Sequence, residues 1–365
     1  MRGHKINPKP RPQGRGTARL STVPGISVAA QDRPAHAVAV DSLTSLLAQP
    51  GVTDVLVNGP SDVWIDRGLG CERAPLTFDG PDAVRAVAVR LAAVAGRRLD
   101  DAAPTVDARL PDGSRLHAVL PPVADGCTSI SIRKVRETPF TLDDLTAAGM
   151  LGRGVAEVLA GLVRSRASVL VTGATGAGKT TLASTLLGLV DPRERVVIVE
   201  ECGELNPDHP HVVRLVERRA NVEGAGGIGL QQLVREALRM RPDRIVLGEC
   251  RGAEVRDVLT AYNTGHRGGL TTLHANGPAD VPARLAVLGS LAGLSDRATH
   301  RLAAAGLDAV VHVERGVTGA RRVAEIAVLS AGARGLVVRA ALTDDGASVS
   351  RGPGWEALAA LIAHG

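Results

Sequence analysis

From about residue 150 the apolar positions of the chain gather into short solid runs: SVLVTG, RVVIVEE, RIVLGE and LTTLHA. Runs of this kind, bounded by turn residues, mark strands buried on both faces, as in a parallel sheet. Between them stand stretches with helical spacing, KTTLASTLLGLV and LQQLVREALRM. Strand and helix in alternation predict an α/β domain over residues 151–335. The earlier part reads differently. DSLTSLLAQPGVTDVLVNGPSDVWIDRG predicts a short helix, a Pro-Gly break and two strands, and PDAVRAVAVRLAAVAG a helix with Pro81 in its first turn and Gly96 at its end. VDARL and RLHAVLPPV flank the turn sequence Pro111-Asp112-Gly113, and SISIRKV supplies one more strand. Together these predict a small α+β domain over residues 36–136. Residues 137–150 read as a linker with a short helix, Thr141 placed to cap it and Asp143 and Asp144 in its first turn. Residues 336–365 are expected to form a C-terminal extension, an edge strand followed by a closing helix.

Residues 1–35 are rich in Pro, Gly and Arg without periodicity, so ordering them finds little apolar burial to offset its entropy cost. A disordered tail is expected. No apolar run approaches the ~20 residues of a membrane-spanning helix. The best stretch, from Val155 to Val171, is broken by Glu157, Arg164 and Arg166, and the basic N-terminus lacks the apolar core of a secretory signal. A cytoplasmic protein is expected. Its four cysteines, with no C-x-x-C pair, fit a reducing compartment and make neither a disulfide framework nor a zinc site. The net charge of +5 is unevenly placed: residues 1–35 carry seven Lys and Arg against Asp32, and the other 330 residues net −1. A body of that balance, with five aromatic residues in the whole chain, does not predict strong nucleic-acid binding. The tail is a candidate contact for anionic lipid at a membrane surface or for an acidic partner, beside the plainer reading of a solubilising segment.

Lysine is scarce, four residues against 39 arginines, and one of the four stands in the most informative motif. Gly173-Ala174-Thr175-Gly176-Ala177-Gly178-Lys179-Thr180 matches G-x-x-x-x-G-K-[ST] between a predicted strand and a helix that continues through Thr181. Such glycines let backbone N–H groups close around phosphates, the lysine brings mobile positive charge, and the threonine offers a hydroxyl to Mg²⁺. Glu200 and Glu201 end one downstream strand and Glu249 another. One carboxylate can hold Mg²⁺ through water while another polarises the attacking water; acidic residues that merely cap the next helix are the alternative. GHRGGLTTLHANG contains His266 and His274, eight apart with no third ligand, which is a poor metal site. A γ-phosphate sensor and ordinary surface histidines both stay open. Cys202 and Cys250 read as small apolar fillers.

The motifs together resemble the secretion-ATPase family of type II and type IV secretion systems. The resemblance is carried by GATGAGKTT, IVEECGEL and the stretch from RLVERRANVEG to NGPADVPARL, and reaches back through LPDGSRLHAVLPP and SISIRKVRETPFTLDDL, covering roughly residues 40–330. Its pattern is most similar to the CpaF/TadA-type motor of Tad (Flp) pilus systems. It implies a homo-hexameric ATPase peripheral to the inner face of the plasma membrane, working on inner-membrane platform proteins. Each subunit would join a smaller N-terminal α+β domain to a RecA-like P-loop domain, with ATP and Mg²⁺ between them. It also implies roles: Lys179 and Thr180 as the Walker A pair, Glu200 as the catalytic glutamate, Glu249 as the Walker B glutamate, and His266 and His274 as the histidine box. Arg115 and Arg133 match arginines that reach nucleotide phosphates, and Arg218 and Arg239 arginines that act near the subunit boundary. Glu201 stands where the branch usually has Asp and Cys250 where it usually has Val, and the four-cysteine zinc element of the type II branch is missing. Two rival readings are a conjugal DNA-transfer ATPase and a weakly hydrolysing nucleotide-binding scaffold of an envelope or division complex.

Overall fold

The computed structural model describes residues 35–363 apart from Leu69, 135–137, Arg219, 221–223, Val317 and Arg334. The expected basic tail lies outside the described residues up to Ala35, where a helix, Ala35–Leu47, begins. The expected domain boundary at residue 136 lies outside them too.

The earlier part of the chain folds into one antiparallel sheet of β1 (Asp54–Gly59), β2 (Asp62–Asp66), β3 (Cys71–Arg73), β4 (Thr105–Arg109), β5 (Arg115–Val119) and β6 (Ser129–Arg133). The strand order is β3-β2-β1-β6-β5-β4. Alternation along each strand decides which face is buried. Val55, Val57, Val63, Ile65, Val106, Ala108, Leu116, Ala118, Ile130 and Ile132 point into one core, covered by the helices Ala35–Leu47 and Pro81–Val94. Polar residues take the other face. The register puts Arg109 opposite Arg115, Arg115 opposite Arg133 and Arg133 opposite Asp54, a row of three guanidinium groups across the sheet. Thr141 then caps the helix Leu142–Ala147 in a capping box with Asp144, the reciprocal arrangement that fixes a helix start.

The second sheet is built on β7 (Val169–Thr172), β8 (Val196–Glu200), β9 (Val212–Val216), β10 (Arg244–Leu247), β11 (Leu270–Leu273), β12 (Ala309–Arg315), β13 (Arg321–Gly332), β14 (Gly335–Asp344) and β15 (Val349–Arg351). Its order is β15-β14-β13-β12-β7-β11-β10-β8-β9. From β12 to β9 neighbours run parallel, and from β12 to β15 they run antiparallel. The four strands β7, β8, β10 and β11 are buried at every position, as their solid apolar runs require. Each face carries its own core, one including Leu159, Leu182 and Ile198, the other Val199, Leu247 and Tyr262. No helix among the described residues is long and apolar enough to cross a membrane.

Residues 336–365 depart from the expected extension. β14 pairs with β13 from Gly335 to Thr343 and lies inside the sheet, leaving the short β15 at the edge. Ala341, Leu342 and Leu358 share a core with Val155 and Leu159, and the last helix, Trp355–Ala363, packs on the helix Val155–Arg164. Residue 335 therefore falls in a hairpin within one sheet and not at a boundary. The reason is topological: the antiparallel hairpins extend the sheet from β12 and bury the segment that follows.

Tyr262, the chain's only tyrosine, is fully buried and donates its hydroxyl to the carbonyls of Leu270 (3.1 Å) and Ile245 (3.3 Å). The chain can pass beside its ring only as glycine, because a β-carbon at Gly269 would lie 2.0 Å from Tyr262 Cε1. Gly269→Ala is expected to lower stability by about 1–3 kcal/mol, the usual cost of overpacking a tight core. A urea midpoint equal to that of the unsubstituted chain would show that the ring yields without cost.

Candidate functional site

In a parallel sheet the C-terminal ends of all strands reach one edge, so residues far apart in sequence meet there. At this edge stand Gly173 after β7, Glu200 at the end of β8, Glu249 beyond β10 and His274 just after β11. The loop from Gly173 leads into the helix Lys179–Gly188, which starts from Gly178 in a left-handed conformation and without a side-chain cap. Ala174, Thr175 and Gly176 are exposed, Ala177 is buried, and Thr180 and Thr181 are half-buried on the first turn. The first-turn N–H groups thus find no side-chain acceptor at a helix start, where an anion is favoured. Gly173 is required for a physical reason: at φ +150° a β-carbon there would lie 2.3 Å from the carbonyl oxygen of Val313 on β12.

Lys179 is 7% exposed. Its ammonium donates to the carbonyls of Gly173 and Ala174 (3.0 Å each) and faces His274 Nδ1 at 3.3 Å. Burial lowers its pKa, and the Glu249 carboxylate opposes that shift. Since an ammonium only donates, Nδ1 of His274 accepts and Nε2 carries the proton, 2.6 Å from Glu249 Oε1 in a contact that misses hydrogen-bond alignment. Burial also lowers the pKa of His274, which keeps the ring neutral.

Glu200 is 5% exposed. One oxygen, Oε1, accepts the backbone N–H groups of Glu204 and Leu205, both at 2.8 Å, while the buried Oε2 has no partner. Burial outweighs those two hydrogen bonds and pushes its carboxyl up to about 7. Gly248 leaves the room that the side chain fills, because a β-carbon there would be 2.7 Å from Glu200 Cγ.

The sequence-predicted residues therefore divide. Lys179, Thr180, Glu200, Glu249 and His274 come together. His266 does not: it precedes β11 while His274 follows it, so the strand holds the two at opposite edges of the sheet. Arg239 is exposed beyond the helix Leu230–Ala237, at the edge where β10 begins, beside Glu236 at 3.7 Å. Arg218 is exposed in a bridge to Ile228 beyond β9. Arg133 pairs with Asp54 (2.8 Å) on the exposed face of the first sheet, and Arg115 with Asp107 and Glu204.

Three arginines at this edge carry no motif signal. Arg251 donates to both Glu249 Oε2 (2.5 Å) and Glu201 Oε2 (2.9 Å), so it ties the two acidic strand ends together. Its place two residues after Glu249 was the one available hint. Arg321 donates to Gly176 O (3.1 Å), and Arg315 to Gly68 O (3.1 Å) in the turn before β3. They flank the β12–β13 turn, which only the pairing of β12 with β7 brings to the glycine-rich loop.

The family described as "Type II/IV secretion system protein" matches residues 38–317, and the chain belongs to it. A putative conjugal transfer protein of Mycobacterium tuberculosis is 53% identical over 293 residues, 79% of this chain and 83% of the relative. The type IV secretion system protein PtlH of Bordetella pertussis is 32% identical over 270 residues, 68% of this chain and 80% of the relative. Among solved structures, the pilus retraction motor PilT with bound ADP covers 82% of this chain and 81% of its own at TM-score 0.56 and 18% identity. The Legionella pneumophila ATPase DotB covers 82% and 80% at TM-score 0.54 and 20% identity. These likenesses show the fold, a RecA-like P-loop domain with a smaller α+β domain before it.

The raised pKa of Glu200 has a consequence for stability. A carboxyl whose folded pKa lies above the unfolded value stabilises the fold fully below the unfolded pKa and loses that contribution as pH rises through the folded one. With values of 4.5 and about 7, the loss is complete near pH 8 and amounts to roughly 3 kcal/mol. Glutamine does not titrate. The stability of Glu200→Gln relative to the unsubstituted chain is expected to improve between pH 5 and pH 8 by up to that amount, measured by denaturant unfolding; a constant difference would show that Glu200 keeps an ordinary pKa.

Proposed function

We propose that this chain is an ATP hydrolase, the motor subunit of a pilus-assembly or secretion machine. The observation that carries the reading is the meeting of Lys179, Glu200, Glu249 and His274 at one sheet edge beside an uncapped helix start. The donor set suits magnesium-bound ATP: the Thr180 hydroxyl on the first turn and Glu249 Oε1, which lacks an aligned hydrogen bond, are the oxygen ligands a hard cation takes. A magnesium ion held by these oxygens would supply positive charge to neutralise the phosphates. The amides of residues 176–181 hold phosphate oxygens, and Lys179 turns its ammonium from loop carbonyls to the γ-phosphate. Glu200 presents its unpartnered Oε2 to the attacking water and takes its proton, a task that a pKa near 7 suits at neutral pH. His274, neutral between Lys179 and Glu249, reports the position of the γ-phosphate to both.

In this reading the chains assemble as a homo-hexamer on inner-membrane platform proteins, in the manner of the CpaF/TadA branch. Arg218 and Arg239, exposed and away from their own loop, then act on a neighbouring subunit. DNA as the cargo is the second reading, and the name of the Mycobacterium tuberculosis relative favours it; turnover stimulated by DNA would establish it.

Lys179→Ala is expected to abolish hydrolysis without unfolding the chain, and Glu200→Gln to retain ATP while stalling cleavage. For the unsubstituted chain kcat/KM should rise with pH through about 7 as Glu200 ionises. Turnover of Lys179→Ala within twofold of the unsubstituted chain would remove the nucleotide site, and normal turnover of Glu200→Gln beside a dead Glu249→Gln would exchange the two roles. For the ring, subunits carrying Arg239→Ala mixed with subunits carrying Lys179→Ala should recover hydrolysis that neither shows alone. No recovery at any mixing ratio would confine Arg239 to its own subunit or to no role.

A further inference from the structure

The loop after β8 meets the N-terminal domain, and it does so through a residue that also holds Glu200. The backbone N–H of Glu204 is one of the two donors to Glu200 Oε1. Its side chain reaches the other way and accepts a hydrogen bond from Arg115 Nη1 of β5. The rest of that guanidinium is fixed by Asp107 of β4, Nε to Oδ1 at 3.2 Å and Nη2 to Oδ2 at 2.9 Å. Asp107 is 9% exposed and Arg115 28%, so this bidentate pair is shielded and sets the direction of the third bond. Arg109, the cross-strand neighbour of Arg115, lies over Gly203, with Nη1 3.4 Å from where a β-carbon there would be; the loop turns beneath it at φ +66°. From the opposite side Arg214 of β9 donates to Leu205 O and Asn206 Oδ1, both at 3.3 Å.

We propose that Arg115 and Glu204 form an interdomain joint that positions Glu200: the N-terminal domain holds residues 201–206 in the conformation whose amides fix Oε1 and leave Oε2 for the attacking water. This rests on the hydrolytic reading of Glu200. Arg115 and Glu204 are positioning residues in it, and Arg115 reaches the loop through Glu204. A loss of phosphate binding would raise KM for ATP, whereas a slack joint lowers kcat.

Cys202 is a built-in reporter. Its thiol contacts Asp107 inside the joint, and burial pushes it up to about 12, which makes it slow to react while the joint is closed. The full chain with Cys71→Ser and Cys127→Ser is labelled with a maleimide, Cys202 is followed by peptide mass spectrometry, and steady-state hydrolysis is measured in parallel. Glu204→Ala should speed Cys202 labelling by about fivefold or more, as local opening exposes it. It should lower kcat by about tenfold with KM for ATP within about twofold. Glu204→Gln keeps an acceptor and should fall between. Adding Arg115→Ala to Glu204→Ala should cost little further, because the two act as one unit. Unchanged labelling in Glu204→Ala, losses that simply multiply, or a loss carried by KM would overturn the joint. Labelling needs no turnover, so a chain that fails to hydrolyse ATP would sink the hydrolytic reading while the joint itself is still read.

Discussion

Parallel pairing of β7 with β11 on one side and β12 on the other is the constraint on which the rest of the molecule depends. It fixes the direction of the sheet, and with it the edge at which every strand ends. Lys179 and His274 are 95 residues apart in sequence and 3.3 Å apart in space only because β7 and β11 finish side by side. The same pairing brings Val313 of β12 against Gly173, which is why no side chain fits there. Nothing local could make this site; it exists only once the long-range strand pairs have formed, with the loop-closure entropy those pairs must overcome.

The site links its charged side chains in a row. Lys179 meets His274, His274 meets Glu249, Glu249 meets Arg251 and Arg251 meets Glu201, so each charged group but one has a side-chain partner. The exception is Glu200, whose only hydrogen bonds come from backbone amides on one oxygen. An unmatched buried carboxyl is costly as an anion, and that cost is what lifts its pKa. Were Glu200 paired with a guanidinium as Glu249 is, the fold would gain stability near neutral pH and the carboxylate would be a weaker base. Stability and basicity draw on the same desolvation.

What could be read from the sequence follows the same division between local and long-range physics. The glycine-rich loop, the buried strands and the Thr141 cap were legible because each is written within a few consecutive residues. That the two residues of the expected histidine box, His266 and His274, do not meet follows from spacing alone. A four-residue strand stands between them, and at ~3.3 Å per residue it carries them to opposite edges. Arg251, Arg315 and Arg321 were not legible, since an arginine in a chain holding 39 of them carries no signal until topology places it. β14 misled for a related reason: its mostly half-buried residues are those of a strand near an edge, and only its pairing with β13 on one side and the short β15 on the other places it inside.

The contact between Arg115 and Glu204 joins the N-terminal sheet to the loop after β8 through charge and not through an apolar surface. An apolar joint would be held by the ~1.5–3 kcal/mol that each fully buried leucine or valine contributes, and every opening would expose that surface to water. A half-shielded guanidinium between two carboxylates behaves differently. Breaking it returns Glu204 to solvent, where its charge is well hydrated, and leaves Arg115 satisfied by Asp107, so the loss of that one contact costs about 1 kcal/mol. Such a contact still fixes geometry when closed, because the bidentate pair with Asp107 leaves the guanidinium little freedom to swing. Arg109 and Arg115 thus give the N-terminal sheet a polar face that meets the loop beside Glu200. An alternating strand pattern makes that face available at no cost to the core behind it.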